Sequence, residues 1–403
     1  MEVKPGYRQS EVGVIPDDWR VESIGQLIDD KFILGHLDGN HGELYPRSHE
    51  FKSYGVPYIG ANDFDEGHVS FDRCKFLTPD RAKQFRKGVA QDGDVLFAHN
   101  ATVGPVALLR TNEPFVILST TATYFRCDSA KLNNLYLKGA LQSEHFVRQY
   151  QGVMAQSTRF QVPITAQRKL FVVVPPLTEQ RAIAAALSDV DTLLDELDRL
   201  IAKKRDLKQA AMQQLLTGEA RLPGFHGDWE LKTIADVATV SKGEQLQSSE
   251  TNPDGNVPHY NGGISPSSYT DKANAPASTI AISEGGNSCG YVQLIGQKFW
   301  CGGHCYAVTP QRIDKRFLYH ALKGKQGEVM GLRVGSGLPN VQKSALMAFT
   351  LPVPVDPAEQ TAIATAVSDM DAELSALEAH RDKTRALKQA MMQELLTGRI
   401  RLV

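Results

Sequence analysis

Glu179-Gln180-Arg181-Ala182-Ile183-Ala184 returns later in the chain as Glu359-Gln360-Thr361-Ala362-Ile363-Ala364. The two copies lie 180 residues apart, and the match continues without a gap for more than forty positions. Each copy closes on the sequence Leu-Leu-Thr-Gly, which ends at Gly218 in the first and at Gly398 in the second. Chance does not produce such a match, so the chain contains an internal repeat.

A weaker repeat precedes each copy. Ile15-Pro16-Asp17-Asp18-Trp19 resembles Phe225-His226-Gly227-Asp228-Trp229, at an offset of 210 residues. The variable stretch that follows Trp229 is about thirty residues shorter than the one that follows Trp19. The order is therefore variable segment, helix, variable segment, helix, with similar helices and dissimilar variable parts. This contrast suggests that the helices face a shared partner and that the variable parts perform the recognition.

The repeated segments are predicted to be long helices. Residues 178–217 and 358–397 are rich in helix-forming residues and contain no Pro or Gly. Apolar residues recur at spacings of three and four, as in a coiled coil, so we expect the helices to pack as an antiparallel or crossed pair. A purely structural spacer and a surface for partner helices, with Leu193 and Leu200 on a second stripe, are both compatible with the pattern. The predicted packing and partner residues are Ile183, Leu187, Val190, Leu194, Leu197, Ile201 and Leu207, followed by Ile363, Val367, Met370, Leu374, Leu377 and Leu387.

The variable segments are predicted to be α+β units. Short apolar runs bounded by Gly, Asn and Pro, such as 94–98, 171–174 and 305–308, indicate strands. One helix is expected in each unit, over 133–150 and over 314–330.

Polar loops between these strands are the candidates for nucleic-acid contact. Amides, guanidinium groups and hydroxyls read base edges, and glycine lets the backbone approach phosphates closely. For any single residue a plain turn role remains the competing interpretation. The candidates are His99, Asn100, Thr102, Ser157, Thr158, Arg159 and Gln161 in the first unit, and Lys242, Asn287, Ser288, Arg333, Ser336 and Asn340 in the second.

Signatures of catalysis and metal binding are weak. Gly286-Asn287-Ser288-Cys289-Gly290 matches the nucleophile-elbow pattern, but a strand is predicted after it where a helix is required. Cys301-Gly302-Gly303-His304-Cys305 lacks a second ligand pair at a suitable spacing. The sequence contains no P-loop, no His-Glu-x-x-His motif and no dinucleotide fingerprint. We therefore expect neither catalysis, nor a metal, nor a cofactor in this chain.

Composition indicates a soluble cytoplasmic protein. The five cysteines are irregularly spaced, which suits a reducing compartment, and the sequence has neither a signal-peptide pattern nor a membrane-spanning run. Lys and Arg number 44 against 46 for Asp and Glu. Residues 1–175, the first variable segment, carry 20 basic and 20 acidic residues, and residues 224–355, the second, carry 11 and 10. This near-balance argues against a protein that is held on nucleic acid mainly by a general positive field.

The layout resembles the specificity (S) subunit of type I restriction–modification systems over essentially the whole chain. The resemblance rests on Ile15 to Trp19, on Pro175-Pro176-Leu177-Thr178-Glu179-Gln180, and on the Leu-Leu-Thr-Gly ends of the helices. The second copy departs from the adjacent prolines, with Pro354-Val355-Asp356-Pro357 before Glu359-Gln360. This difference concerns how the chain enters the helix and does not alter the resemblance.

The resemblance implies two target recognition domains, residues 1–175 and 223–355, each reading one half of an asymmetric bipartite site in double-stranded DNA. It implies that residues 176–222 and 356–403 form conserved helices that act as spacer and ruler and bind two methyltransferase (M) subunits. Those subunits would supply S-adenosylmethionine and adenine N6 methylation, and motor–nuclease (R) subunits can join them. Two alternatives remain open, a subunit of a methyltransferase without nuclease and a coiled-coil interaction scaffold. The bases of the half-sites and the spacer length are not carried over.

Overall fold

The computed structural model describes residues 4–156, 159–335, 337 and 339–402. Two units are distinguished by their internal contacts, each containing an α+β domain and part of both long helices. The first unit comprises residues 1–196 and 381–403, and the second comprises residues 197–380. Each long helix therefore belongs partly to both units, whereas the sequence-based prediction treated each domain and each helix as a separate contiguous stretch of the chain.

The first unit contains two four-stranded sheets, in the orders β11-β10-β13-β4 and β8-β5-β12-β9. Its strands are β1 Tyr7–Ser10, β2 Gly13–Pro16, β3 Arg20–Ser23, β4 Ile33–Asp38, β5 Val56–Ile59, β6 Phe64–Asp65, β7 His68–Val69, β8 Lys75–Leu77, β9 Val89–Ala90, β10 Val95–Asn100, β11 Thr102–Leu108, β12 Val116–Leu118, β13 Ala122–Cys127 and β14 Phe171–Val174. Its helices are α1 Ile24–Asp29, α2 Pro79–Ala82, α3 Asn134–Gln142, α4 Glu144–Ala155 and α5 Ile164–Gln167, followed by the first long helix, α6 Leu177–Leu215.

The second unit repeats this topology in shorter form. Its strands are β15 Trp229–Thr233, β16 Ala238–Lys242, β17 Val257–Tyr260, β18 Ser268–Thr270, β19 Thr279–Ser283, β20 Val292–Ile295, β21 Trp300–Cys301, β22 Cys305–Pro310, β23 Arg333–Val334, β24 Asn340–Val341 and β25 Thr350–Pro354. Its helices are α7 Ile234–Val237, α8 Lys315–Gly324, α9 Gln326–Gly331 and α10 Lys343–Met347, and the second long helix is α11 Pro357–Leu395.

Sheet order shows that the two domains are copies of one fold. The order β11-β10-β13-β4 in the first unit corresponds to β20-β19-β22-β16 in the second, with every pair antiparallel in both. In each domain, a further two-stranded sheet, β14-β3 or β15-β25, ends where the chain enters a long helix. The predicted α+β class with an internal repeat is confirmed.

The long helices run antiparallel, as predicted. In the second unit, Lys204 Nζ lies 2.6 Å from Glu373 Oε1, while Lys208, one turn further along α6, pairs with Asp371. The residue number of the partner on α11 thus decreases as the residue number on α6 increases, which is the pattern of antiparallel helices. Ile183 and Leu187 are buried in the core of the first unit, and Ile363 is buried in the core of the second. Gly218 and Gly398 follow the helices with φ of +79° and +70°, the left-handed conformation expected for helix-ending glycines.

A single helix in each domain, over 133–150 and over 314–330, was predicted, and that expectation is wrong, because the structure has two helices over each range and further short helices elsewhere. Ser143 separates α3 from α4 because its backbone is extended and its hydroxyl caps both helices. The Oγ atom donates to Ala140 O at 2.7 Å and accepts from Phe146 N at 3.3 Å. In the second unit, Lys325 separates α8 from α9 in a non-helical conformation.

Candidate nucleic-acid interface

The repeated Glu-Gln pair fastens each domain to the start of its long helix. Gln180 is 1% exposed, and its amide accepts from Asn133 N at 2.9 Å and donates to Pro175 O at 2.9 Å. Gln360 makes the same two contacts, accepting from Asp314 N and donating to Pro354 O, each at 2.8 Å. A glutamine side chain suits this position because it presents a donor and an acceptor together.

The glutamate of the pair closes each unit through an arginine distant in sequence. Glu179 is fully buried, accepting from Arg401 Nε at 2.6 Å and from Trp19 Nε1 at 2.9 Å. Glu359 is likewise buried and accepts from Arg221 at 2.5 and 2.6 Å. A buried carboxylate needs such partners, so removal of either arginine would leave an uncompensated charge inside its unit.

In the first unit, two of the predicted loops lie side by side at the end of β10. Asn100 forms an antiparallel bridge with Gln161, and Val162 N donates to His99 O at 2.8 Å. Around this bridge Thr102, Arg159 and Phe160 are exposed, Phe160 by 78%. The structure thus joins residues about sixty positions apart into one polar surface with a projecting aromatic ring.

In the second unit, three predicted loops meet at the equivalent end of the sheet, where β16 and β19 end and β22 begins. Gly285 forms an antiparallel bridge with Asn340, and Val341 N donates to Glu284 O at 2.8 Å. The third loop joins through Lys242, whose Nζ lies 2.6 Å from Glu284 Oε1. The loop sets of both domains therefore occupy corresponding places in the fold.

Glu284 organises the second loop set and was missed by the sequence-based selection. Its Oε1 also accepts from the hydroxyl of Tyr306 at 3.0 Å, and burial together with this carboxylate raises the pKa of Tyr306 to about 12. Its Oε2 is buried without a hydrogen-bond partner among the described residues, with His304 Nδ1 3.7 Å away. The available signal was the position of Glu284 directly after a buried strand.

His99 lies in a buried network of polar side chains. Its ring is 5% exposed, and Nδ1 lies 2.7 Å from Thr123 Oγ1. Gln167 donates to the same hydroxyl at 3.1 Å and contacts His36 Nε2 at 3.0 Å. Burial lowers the pKa of both His36 and His99 to about 4, so both rings are neutral at pH 7. This placement favours a role for His99 in positioning the loop over direct contact with a base.

The other predicted loop residues differ in exposure. Asn287, Arg333 and Asn340 are exposed, and Gln161 and Asn100 are half-buried. The hydroxyl of Ser288 is engaged, donating to Gly262 O at 2.7 Å. Three candidates lie outside the described residues, namely Ser157, Thr158 and Ser336.

The predicted helix residues separate into buried and exposed groups. Six are half-buried or exposed: Val190, Leu194, Met370 and Leu377 are half-buried, and Leu207 and Leu387 are exposed. Leu387 is exposed by 56%. Leu207, the counterpart of Leu387, is exposed by 50%. The buried ones are Ile183, Leu187, Leu197, Ile201, Ile363, Val367 and Leu374. Leu193 and Leu200, on the predicted second stripe, are each exposed by 39%.

The described residues give no support to two other kinds of site, a metal centre and a membrane-spanning helix. Within the part of the chain that the structure describes, no three His, Cys, Asp or Glu side chains are grouped so as to hold a metal ion. No described helix combines the length and apolar character needed to cross a membrane.

Two copies of one α+β domain and a pair of shared long helices define an internally duplicated, two-domain class of protein. The model of the type I restriction modification DNA specificity domain matches residues 16–205 and again residues 226–385. Because these matches cover well over half of the chain, the protein belongs to that family.

Individual relatives agree with this assignment. A protein of Mycoplasma genitalium described as a type I specificity subunit is 33% identical over 173 residues, 42% of this chain and 45% of that protein. The chain thus matches less than half the length of that relative. A protein of Methanocaldococcus jannaschii described as a type I restriction enzyme specificity subunit is 22% identical, with 98% of this chain and 97% of that protein covered. The crystal structure of a type I system S subunit from M. genitalium has a similar fold, with a TM-score of 0.66 at 17% identity and 98% of both chains covered.

Proposed function

We propose that this chain is the non-catalytic DNA-recognition subunit of a type I restriction–modification complex. The observation that carries the proposal is the duplicated loop surface. In both domains, loops rich in amide and basic side chains converge at the same end of a four-stranded sheet, around the bridges Asn100–Gln161 and Gly285–Asn340. A fold that presents equivalent surfaces twice is suited to a bipartite DNA site, with one domain for each half.

The two half-sites differ in sequence. The first surface offers Asn100, Arg159 and Gln161, whereas the second offers Lys242, Asn287 and Asn340 around the half-buried Glu284. Direct readout depends on which donors and acceptors meet the base edges. Unlike side chains at equivalent positions therefore select unlike bases, and the whole site is asymmetric.

The long helices bind the methyltransferase subunits. Leu207 and Leu387 occupy equivalent positions of the repeat and are exposed by 50% and 56%. Exposed leucines at corresponding helix positions are suited to apolar contact with a partner helix. Two equivalent surfaces accommodate two such subunits, which carry S-adenosylmethionine and methylate adenine N6, and motor–nuclease subunits join the same complex.

The near-neutral charge of the chain fits a complex in which the partner subunits contribute part of the DNA-binding surface. A formal charge of -2 provides little general attraction to DNA phosphates, so the isolated chain binds DNA weakly. Tight binding arises in the assembled complex, where partners add basic surface.

Sequencing-based mapping of methylated adenine in cells with and without this chain tests the proposal. One asymmetric bipartite motif is expected to lose N6-methyladenine when the chain is deleted and to regain it on complementation. An unchanged pattern would overturn DNA recognition and favour an interaction scaffold. Plating of unmodified phage on the same strains then distinguishes a complex with nuclease from a methyltransferase alone.

A further inference from the structure

The two loop surfaces share a residue-by-residue correspondence that their sequences conceal. His99-Asn100-Ala101-Thr102 corresponds to Glu284-Gly285-Gly286-Asn287, because Asn100 and Gly285 each form the bridge to the second loop. The following residue has a positive φ in both, +63° at Ala101 and +81° at Gly286. Ala101 adopts a conformation that favours glycine, and this agreement fixes the register between the two loops.

The second loop of each pair also corresponds. Val162 N donates to His99 O, and Val341 N donates to Glu284 O, both at 2.8 Å. Gln161 and Asn340 are therefore the equivalent residues that precede these valines. A side-chain amide stands at this position in both domains although the surrounding sequences differ.

The geometry directs both amides away from the protein core. Val162 and Val341 are fully buried, and successive side chains of an extended segment point to opposite faces. Asn340 is accordingly exposed, and Gln161 is half-buried beside the exposed Arg159 and Phe160. Within the described part of the chain, neither side-chain amide makes a hydrogen bond, so each retains its donor and its acceptor for a ligand.

We propose that Gln161 and Asn340 are paired specificity-determining residues, each reading the major-groove edge of an adenine in its own half-site. This inference rests on the proposed function. An amide offers a donor and an acceptor side by side, matching N7 and the N6 amino group of adenine. Thymine, guanine and cytosine do not present that combination on one major-groove edge, so the amide discriminates against the other base pairs.

The bridge partners account for part of the difference between the half-sites. Asn100 places a second amide beside Gln161, whereas Gly285 places none beside Asn340. A Cβ at Gly285 would meet only ordinary contacts, His304 Nδ1 at 3.9 Å and Pro339 O at 4.0 Å. Position 285 therefore accommodates a Cβ, and Gly285→Asn is expected to give the second surface the pair of amides found in the first.

The test maps N6-methyladenine in cells that carry the partner methyltransferase together with wild-type chain, Gln161→Ala or Asn340→Ala. Gln161→Ala is expected to make one base pair of the first half-site degenerate, raising modification of sites substituted there by about 10- to 100-fold. Asn340→Ala is expected to do the same in the second half-site only. The unaffected half-site reports that the variant chain is folded and assembled.

Matched control residues lie beside β10 and β22, at the ends of these strands that are opposite to the loop surfaces. Gln91 precedes β10 and Gln311 follows β22, and both are exposed. Gln91→Ala and Gln311→Ala are expected to leave every position of the motif unchanged. If a variant modifies no site at all, base preferences are read instead from duplexes selected by its purified complex with the methyltransferase.

The outcomes separate this inference from the function on which it rests. An unchanged motif with both Gln161→Ala and Asn340→Ala overturns the inference while recognition by the wild-type chain stands. Degeneracy at a base pair other than adenine–thymine, or equal degeneracy with Gln91→Ala, also overturns it. A wild-type chain that directs no motif defeats the proposed function itself. Gly285→Asn supplies a gain-of-preference arm, expected to alter the second half-site alone.

Discussion

Arg401 and Glu179 meet in the first unit although 222 residues separate them in the chain, with Nε 2.6 Å from Oε1 and Nη2 2.8 Å from Oε2. The same guanidinium reaches Asp18 at 2.8 Å, and its hydrogen bonds hold the pKa of that carboxyl below its usual value. Arg221 and Glu359 repeat the contact in the second unit. The arginine three residues after each helix-ending glycine, Arg221 or Arg401, thus anchors the end of one long helix beside the beginning of the other.

Arg401→Ala is expected to destabilise the first unit by about 3 kcal/mol, because the fully buried Glu179 then keeps, among the described residues, only the Trp19 indole as a partner. Urea-dependent hydrogen exchange of peptides around Trp19 measures the effect. Arg399→Ala is the control, since Arg399 is 61% exposed and pairs with Glu394 at the surface, and its loss is expected to change stability by less than about 0.5 kcal/mol. Equal effects of the two substitutions would contradict the role given to Arg401.

Gln180→Glu is expected to lower the stability of the first unit by about 2–3 kcal/mol. The substitution replaces the donor that serves Pro175 O and Lys131 O with an oxygen, which leaves buried acceptors facing one another. Hydrogen exchange over α3, whose first residues follow the bonded Asn133, reports the loosening. Gln9→Glu, on an exposed strand residue, provides the matched control. Retained protection of α3 would show that Gln180 does not fasten the domain.

Acidification is expected to weaken the first unit through His36 and His99. Burial lowers the pKa of both rings to about 4, whereas in the unfolded chain they titrate near the ordinary value of about 6.5. The unfolded state therefore binds more protons between these values, and stability falls as pH falls through that window. Relative to pH 7.5, each ring is expected to lower the free energy of unfolding at pH 5.5 by about 1 kcal/mol.

Urea-dependent hydrogen exchange of β4 and β10 at pH 7.5 and 5.5 measures this loss. In the double variant His36→Gln and His99→Gln, the difference between the two pH values is expected to shrink by about 2 kcal/mol, since neither replacement titrates. An undiminished pH dependence would assign the effect to other groups.

Leu207→Ser and Leu387→Ser are expected to leave stability within about 0.5 kcal/mol of wild type, because both side chains are already exposed by half or more. Each is expected to weaken binding of the methyltransferase subunit by about tenfold, measured by calorimetry. Leu231→Ser is the control, since Leu231 is 71% exposed on the strand β15 and is not part of either long helix. Unchanged affinity in both helix variants would remove these leucines from the partner surface.

Local patterns predicted the elements of the fold well. The apolar stripe predicted the long helices, and apolar runs bounded by Gly, Asn and Pro predicted strands such as β10, β14 and β22. The break at Ser143 was missed although Ser143 followed by Glu144 is a helix-start signature, since the apolar pattern continues across it.

The candidate site was only partly predictable. Loop composition pointed to Gln161 and Asn340, but their equivalence depends on bridges to residues 61 and 55 positions earlier, Asn100 and Gly285. The insertions in the first domain hide this register in the sequence. Glu284 was missed for a similar reason, because its partners Lys242 and Tyr306 are 42 and 22 residues away. Contacts of that range follow from topology, which no local periodicity encodes.

The discontinuity of the first unit has a consequence for synthesis of the protein. Residues 197–380 are contiguous, so the second unit has its complete set of residues once His380 has been synthesised. The first unit begins to leave the ribosome earlier, but it lacks residues 381–403, and with them Arg401, until the whole second unit has been made. The usual order of N-terminal folding first is therefore reversed for the final closing step. A chain that stops before Arg401 leaves Glu179 without its arginine, so an early stop in synthesis destabilises the part of the protein that was made first.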